Sequence, residues 1–152
     1  MKGKELLTLA VALVLALALT GCAPKDAGVA ILTGLDKKEL TQGDLPCRSY
    51  YKGETLMVPL CEVARALGYS AEWDSANQTA IIDDEYIQKA TLTAGSKTTL
   101  FEGHLQVINV SREVELAEAL TVQEGTPYVP AEFFTEFLNE VEYGEGIVTI
   151  AP

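Results

Sequence analysis

Histidine is almost missing from this chain: His104 stands alone among 152 residues, beside three cysteines, two methionines and one tryptophan. A copper centre is therefore not expected, because such a site draws on several imidazole, thiolate or thioether ligands. Nucleophilic catalysis needs a Ser, Cys or Thr beside a base, and with one imidazole and no Gly-x-Ser-x-Gly segment no such set emerges. Glycine loops that cradle phosphate and calcium loops of EF-hand spacing are absent too. Positive charge is scarce: 11 basic residues face 22 acidic ones, a formal net charge of −11. Such a chain repels phosphate backbones, which removes nucleic acid from the expected partners. Long apolar runs are missing as well. The run Leu6–Leu19 has 14 residues, and at about 1.5 Å per residue it falls short of the roughly 30 Å a permanent membrane helix spans.

The N-terminus has the layout of a secretory signal peptide over residues 1–21: Lys2 and Lys4, then the apolar run, then Thr20-Gly21-Cys22. Leu19-Thr20-Gly21-Cys22 resembles the lipobox of bacterial lipoproteins, which implies cleavage before Cys22 and a diacylglyceryl group on its thiol. Two or more acyl chains suffice for stable attachment, so the expected location is the extracytoplasmic face of the cell membrane, with the membrane itself as a partner through Cys22. Residues 22–28 read as a tether and residues 29–152 as one domain. From Cys22 onward 131 residues remain, too few for the two large lobes of a solute-binding lipoprotein. The other two cysteines, Cys47 and Cys61, are a natural pair in an exported protein. Their disulfide would restrain the unfolded chain by about 3 kcal/mol; the alternative is two buried free thiols.

Internal similarity organises the rest. Gly53-Glu54-Thr55-Leu56-Met57-Val58-Pro59-Leu60 has a counterpart in Gly125-Thr126-Pro127-Tyr128-Val129-Pro130-Ala131. Each Val-Pro precedes a short helical pattern, with Val63, Ala64 and Leu67 on one apolar stripe and Phe133, Phe134, Phe137 and Leu138 on the other. Proline suits the first helical position; Gly68 and Asn139 suit the caps that follow. Hairpins come next, Ser70–Trp73 with Thr79–Ile82 and Val141–Tyr143 with Ile147–Ile150. Between the two units, whose bounds are about 45–83 and 120–151, residues 87–109 read as a meander with turns at Ala94-Gly95-Ser96 and Glu102-Gly103, while Val114–Leu120 suits a strand or a helical turn equally. Helices this short need a sheet to lie on. The expected fold is α+β: antiparallel sheets each packed on a short Pro-started helix, in two copies of a strand–helix–hairpin motif.

Val58-Pro59-Leu60, the helix ending Ala66-Leu67-Gly68, and Glu72-Trp73-Asp74 with Ile81-Ile82 resemble the bacterial module called the copper amine oxidase-like N-terminal domain, or stalk domain. Tyr128-Val129-Pro130, Phe133-Phe134 and Ile147–Ile150 resemble its second half. The resemblance implies a sheet wrapped around a helix, repeated, on secreted and surface-anchored proteins, remote from copper and quinone chemistry. Cys61 stands where such modules commonly carry arginine, and Ala131-Glu132 stand where Leu-Arg is usual.

The expected function is therefore that of a non-catalytic, lipid-anchored surface module that binds cell-wall polymer or a surface protein, or acts as a spacer, with no catalytic residues, cofactor or metal. The alternative is an envelope hydrolase using carboxylates, or a regulator of one. Its nearest candidates are Glu132 and Glu136, spaced i, i+4 on the polar side of the second helix, where a solvated face is the commoner arrangement. Trp73 and Tyr143 are read as core anchors rather than an aromatic surface for sugar or peptide, and His104 as an exposed hairpin residue.

Overall fold

The two Val-Pro segments lie side by side. Strands β6 (Thr55–Pro59) and β13 (Thr126–Pro130) pair antiparallel with Val58 opposite Val129 and Pro59 opposite Tyr128. The computed structural model, which describes residues 28–105 and 111–152, makes each of them the second strand of a hairpin. β5 (Tyr50–Lys52) precedes β6 and β12 (Thr121–Gln123) precedes β13, which gives a four-stranded sheet in the order β12-β13-β6-β5. The β12–β13 turn is Glu124-Gly125, both with positive φ, the combination that matches the twist of a two-residue hairpin.

Both prolines end strands rather than start helices: Pro59 has φ −67° and ψ 115°, and Pro130 has φ −54° and ψ 137°. Helix α1 (Leu60–Ala66) buries Leu60, Cys61, Val63 and Ala64. It stops because Gly68 takes φ +89°, so that Gly68 N–H reaches Arg65 O at 3.0 Å and Tyr69 N–H reaches Ala64 O at 2.9 Å, the double closure of a Schellman motif. The second helix, Ala131–Phe137, is wound as a 3₁₀ helix and buries Ala131, Phe133, Phe134 and Phe137. It closes the same way, but the left-handed residue is Leu138 (φ 65°) and not Asn139. Asn139 lies one residue further on, where its buried side-chain amide donates to Phe134 O at 3.1 Å and to the hydroxyl of Tyr69 at 2.8 Å. The residues that follow the two helix stops, Tyr69 and Asn139, thus bond to each other.

Two further sheets complete the domain. β7 (Ser70–Asp74), β8 (Thr79–Asp83), β9 (Gln88–Thr93), β10 (Thr98–Gly103) and β11 (Ser111–Glu115) form one in the order β11-β10-β9-β8-β7, antiparallel throughout. β14 (Glu140–Gly144) and β15 (Ile147–Ala151) form the other with β1 (Ala30–Thr33) and β2 (Lys38–Glu39), in the order β14-β15-β1-β2. Its β1–β15 pair is parallel, with Ala30 opposite Ile147 and Thr33 opposite Ile150. The short hairpin β3 (Thr41–Gln42) and β4 (Leu45–Pro46) stands apart. β10 runs through Glu102-Gly103, where a turn is expected from sequence, and Val114 lies in a strand. The expected strand His104–Asn109 is not strand at 104–105, and 106–110 lie outside the described residues, as do residues 1–27 with Cys22, the signal segment and most of the tether.

The expected α+β class is not what forms. Strands take 53% of the described residues and helix 12%, so the architecture is mostly β, with several sheets. The helices do not each cover a sheet of their own: α1 touches β13 as well as β6 and β7, and the 3₁₀ helix touches β6 as well as β14. One continuous core includes Ile31, Val58, Leu60, Ile82, Phe101, Phe133 and Ile150. The physical reason is size. Two helices of seven residues each offer too little apolar surface to cover three sheets, so they fill the space where the sheets converge and the strands bury one another. Rings dominate that space: Phe133 lies 6.0 Å from Phe101, 5.2 Å from Phe134 and 5.6 Å from Phe137.

Candidate ligand-binding groove

Cys47 and Cys61 are free thiols, so the expected disulfide is not formed in the structure. Cys61 points from α1 into the core, while Cys47 is half-buried in the loop after β4. Burial raises the pKa of both and the charge of Glu62 adds to it; Cys61 is pushed up to about 11, and Arg48 only partly offsets the rise at Cys47. Thiols held protonated in this way are poor nucleophiles.

Cys47, but not Cys61, borders a groove of about 560 Å³. One wall is the end of β4 with Cys47 and Arg48; the floor is Pro59 and Glu62 at the start of α1; the far wall is the β12–β13 turn with Gln123, Glu124 and Tyr128. It continues past Arg48 to Ser49 and Tyr50. Tyr50 meets Tyr128 edge-on, centroids 5.1 Å apart at 68°. Arg48 is steered by Glu39, 2.8 Å from its guanidinium. Two polar atoms in this lining are buried without a hydrogen-bond partner, Glu62 Oε2 and the hydroxyl of Tyr50. A buried acceptor left unpaired costs about 1–3 kcal/mol; Glu62 lines the groove but its Oε2 is covered, so a ligand O–H or N–H would reach that oxygen only after a shift of the side chain. Burial, followed by the Glu62 charge, raises the Tyr128 phenol pKa and keeps it protonated as a donor. No spacing in the sequence signals this groove, because three distant segments build it.

The other candidates are dispersed. Glu132 accepts a hydrogen bond from the Tyr143 hydroxyl, whereas Glu136 binds Arg112 at 2.7 Å. Residues i and i+4 of a 3₁₀ helix stand about 120° apart, so the two carboxylates do not share a face as α-helical spacing implied. Trp73 packs against the core, but Tyr143 is 51% exposed and is not a core anchor. His104 is exposed, as expected, and its Nε2 lies 2.7 Å from Asp83 Oδ1.

The chain matches the copper amine oxidase N-terminal domain over residues 36–150. It belongs to that family. The domain is a non-catalytic, stalk-type module. No curated protein matches the chain, and no solved structure does. The copper of the family name is not matched by the residues present, since the chain holds one imidazole and copper centres of the catalytic kind take several.

Proposed function

We propose that this chain is a non-catalytic surface module, held at the extracytoplasmic face by lipid on Cys22, and that the groove between the β3–β4 hairpin and the β12–β13 turn binds cell-wall polymer. The observation that carries this reading is the unpartnered Glu62 oxygen in a groove walled by Tyr128 and Gln123. Sugar chains present many hydroxyl donors for buried carboxylate and amide acceptors, and apolar ring faces for aromatic walls. A net charge of −11 disfavours anionic wall components and favours neutral or amine-bearing glycan.

Sedimentation of the full-length protein, in detergent, with purified cell wall tests it. The wild type is expected to co-sediment, and Glu62→Gln and Tyr128→Ala are each expected to weaken retention about tenfold or more, a loss of roughly 1.4 kcal/mol or more. Absence of wild-type binding, or unchanged retention in both variants, would falsify the reading. The hydrolase alternative has no observation in its favour, because Glu132 and Glu136 serve different partners.

A further inference from the structure

Asp83, Asp84 and His104 lie together at one end of the five-stranded sheet, outside the groove. Asp83 closes β8, Asp84 opens the loop to β9, and His104 follows β10. One donor atom from each lies within 4.8 Å of the other two. Backbone pairing across three strands brings them there: His104 N–H reaches Ile87 O at 2.8 Å, and Asp84 N–H reaches Gln88 O at 3.3 Å. The carboxylates are held in place before any ligand arrives. Asp84 Oδ1 accepts the N–H groups of Tyr86, Ile87 and Gln88 at 3.0, 2.7 and 3.0 Å, and Asp83 Oδ1 accepts that of Glu85 at 2.7 Å while facing the imidazole. None of these bonds uses the second oxygen of either carboxylate or Nδ1 of the ring. Lys89, paired across the strands with Asp83, directs its ammonium to Glu102 at 3.4 Å.

We propose that Asp83, Asp84 and His104 form a binding site for a divalent transition-metal ion, of which Zn²⁺ is the type. Two carboxylates and one imidazole make a mixed oxygen–nitrogen set that this ion accepts, with water filling the remaining positions. Calcium prefers an all-oxygen shell of six or more ligands, which three side chains including an imidazole do not supply. With the Asp83 side chain 26% and the His104 side chain 36% exposed, the ion reaches the donors directly from solvent. Coordination takes the imidazole in its neutral form, so any proton on the ring leaves to solvent as the metal enters. The bound ion would clamp the β8–β9 loop to the end of β10.

Calorimetric titration of the full-length protein in detergent, stripped of metal by chelator, tests the site. Zn²⁺ is expected to bind, with one ion fewer per chain in His104→Ala than in the wild type and affinity at least about tenfold weaker in Asp83→Asn. Ca²⁺ is expected to bind at least about tenfold more weakly than Zn²⁺ to the wild type. Cu²⁺ binds most nitrogen–oxygen sets tightly and would not discriminate. Matching melting curves of wild type and His104→Ala in chelator are expected, since the histidine is on the surface, and they separate a lost ligand from a lost fold. Equal Zn²⁺ stoichiometry and affinity in wild type and His104→Ala, or no Zn²⁺ binding by the wild type, overturns the proposal.

Discussion

Cys61 shows how one side chain records its surroundings. It is 3% exposed, and burial, then the nearby Glu62 charge, pushes its thiol from 9.0 up to about 11. The folded chain holds this proton more tightly than the unfolded chain does. The stability that comes from the neutral thiol is therefore complete below pH 9 and is lost as the pH rises from 9 to about 11. Urea unfolding of wild type and Cys61→Ala across that range is expected to show a steeper alkaline decline in the wild type; parallel declines would remove the assignment. Other single residues were harder to read from sequence. Tyr143 occupies the position that corresponds to Trp73, yet it faces out to bond Glu132, and hydrophobic pattern alone does not distinguish a ring that fills space from one that holds a carboxylate. Asp83 and His104 are 21 residues apart and meet only because β8, β9 and β10 are in register.

At the level of elements, the helix terminations offer a direct comparison. Both helices end in the same pair of hydrogen bonds, one with Gly68 in the left-handed region and the other with Leu138. A leucine there costs about 1–2 kcal/mol that glycine does not, and Leu138 is 77% exposed, so little packing is lost with its side chain. Leu138→Gly is expected to raise unfolding stability by about 0.5–1 kcal/mol after the greater entropy of the unfolded glycine chain is counted. Denaturant melts check this, and a lower midpoint at unchanged slope would contradict it. Although the two Val-Pro prolines close strands and do not open helices, much at this scale was legible: the stop at Gly68 and the hairpins β7–β8 and β14–β15 follow from local residue patterns. The 3₁₀ winding of Ala131–Phe137 did not, because the apolar spacing of Phe133, Phe134 and Phe137 fits either helix. The groove was also illegible, since Arg48, Glu62 and Gln123 belong to three segments that only tertiary packing joins.

For the molecule as a whole, the β1–β15 pair has the widest consequence. Local residue patterns do not signal it, because a parallel neighbour 117 positions away, Ala30 beside Ile147, leaves no local trace. That pairing sets how the domain responds to tension. A pull applied before Ala30 and after Ala151 acts at opposite ends of two parallel strands, so their rungs resist together in shear. A pull between the same start and the Gly144–Gly146 turn instead opens the ladder one rung at a time from the Ala30–Ile147 end. Single-molecule stretching is expected to need a clearly higher force in the first geometry than in the second, and equal forces would refute it. Held by its leading end, as proposed above, and tugged at its trailing end, the domain would in this way meet the load along its stiffer direction.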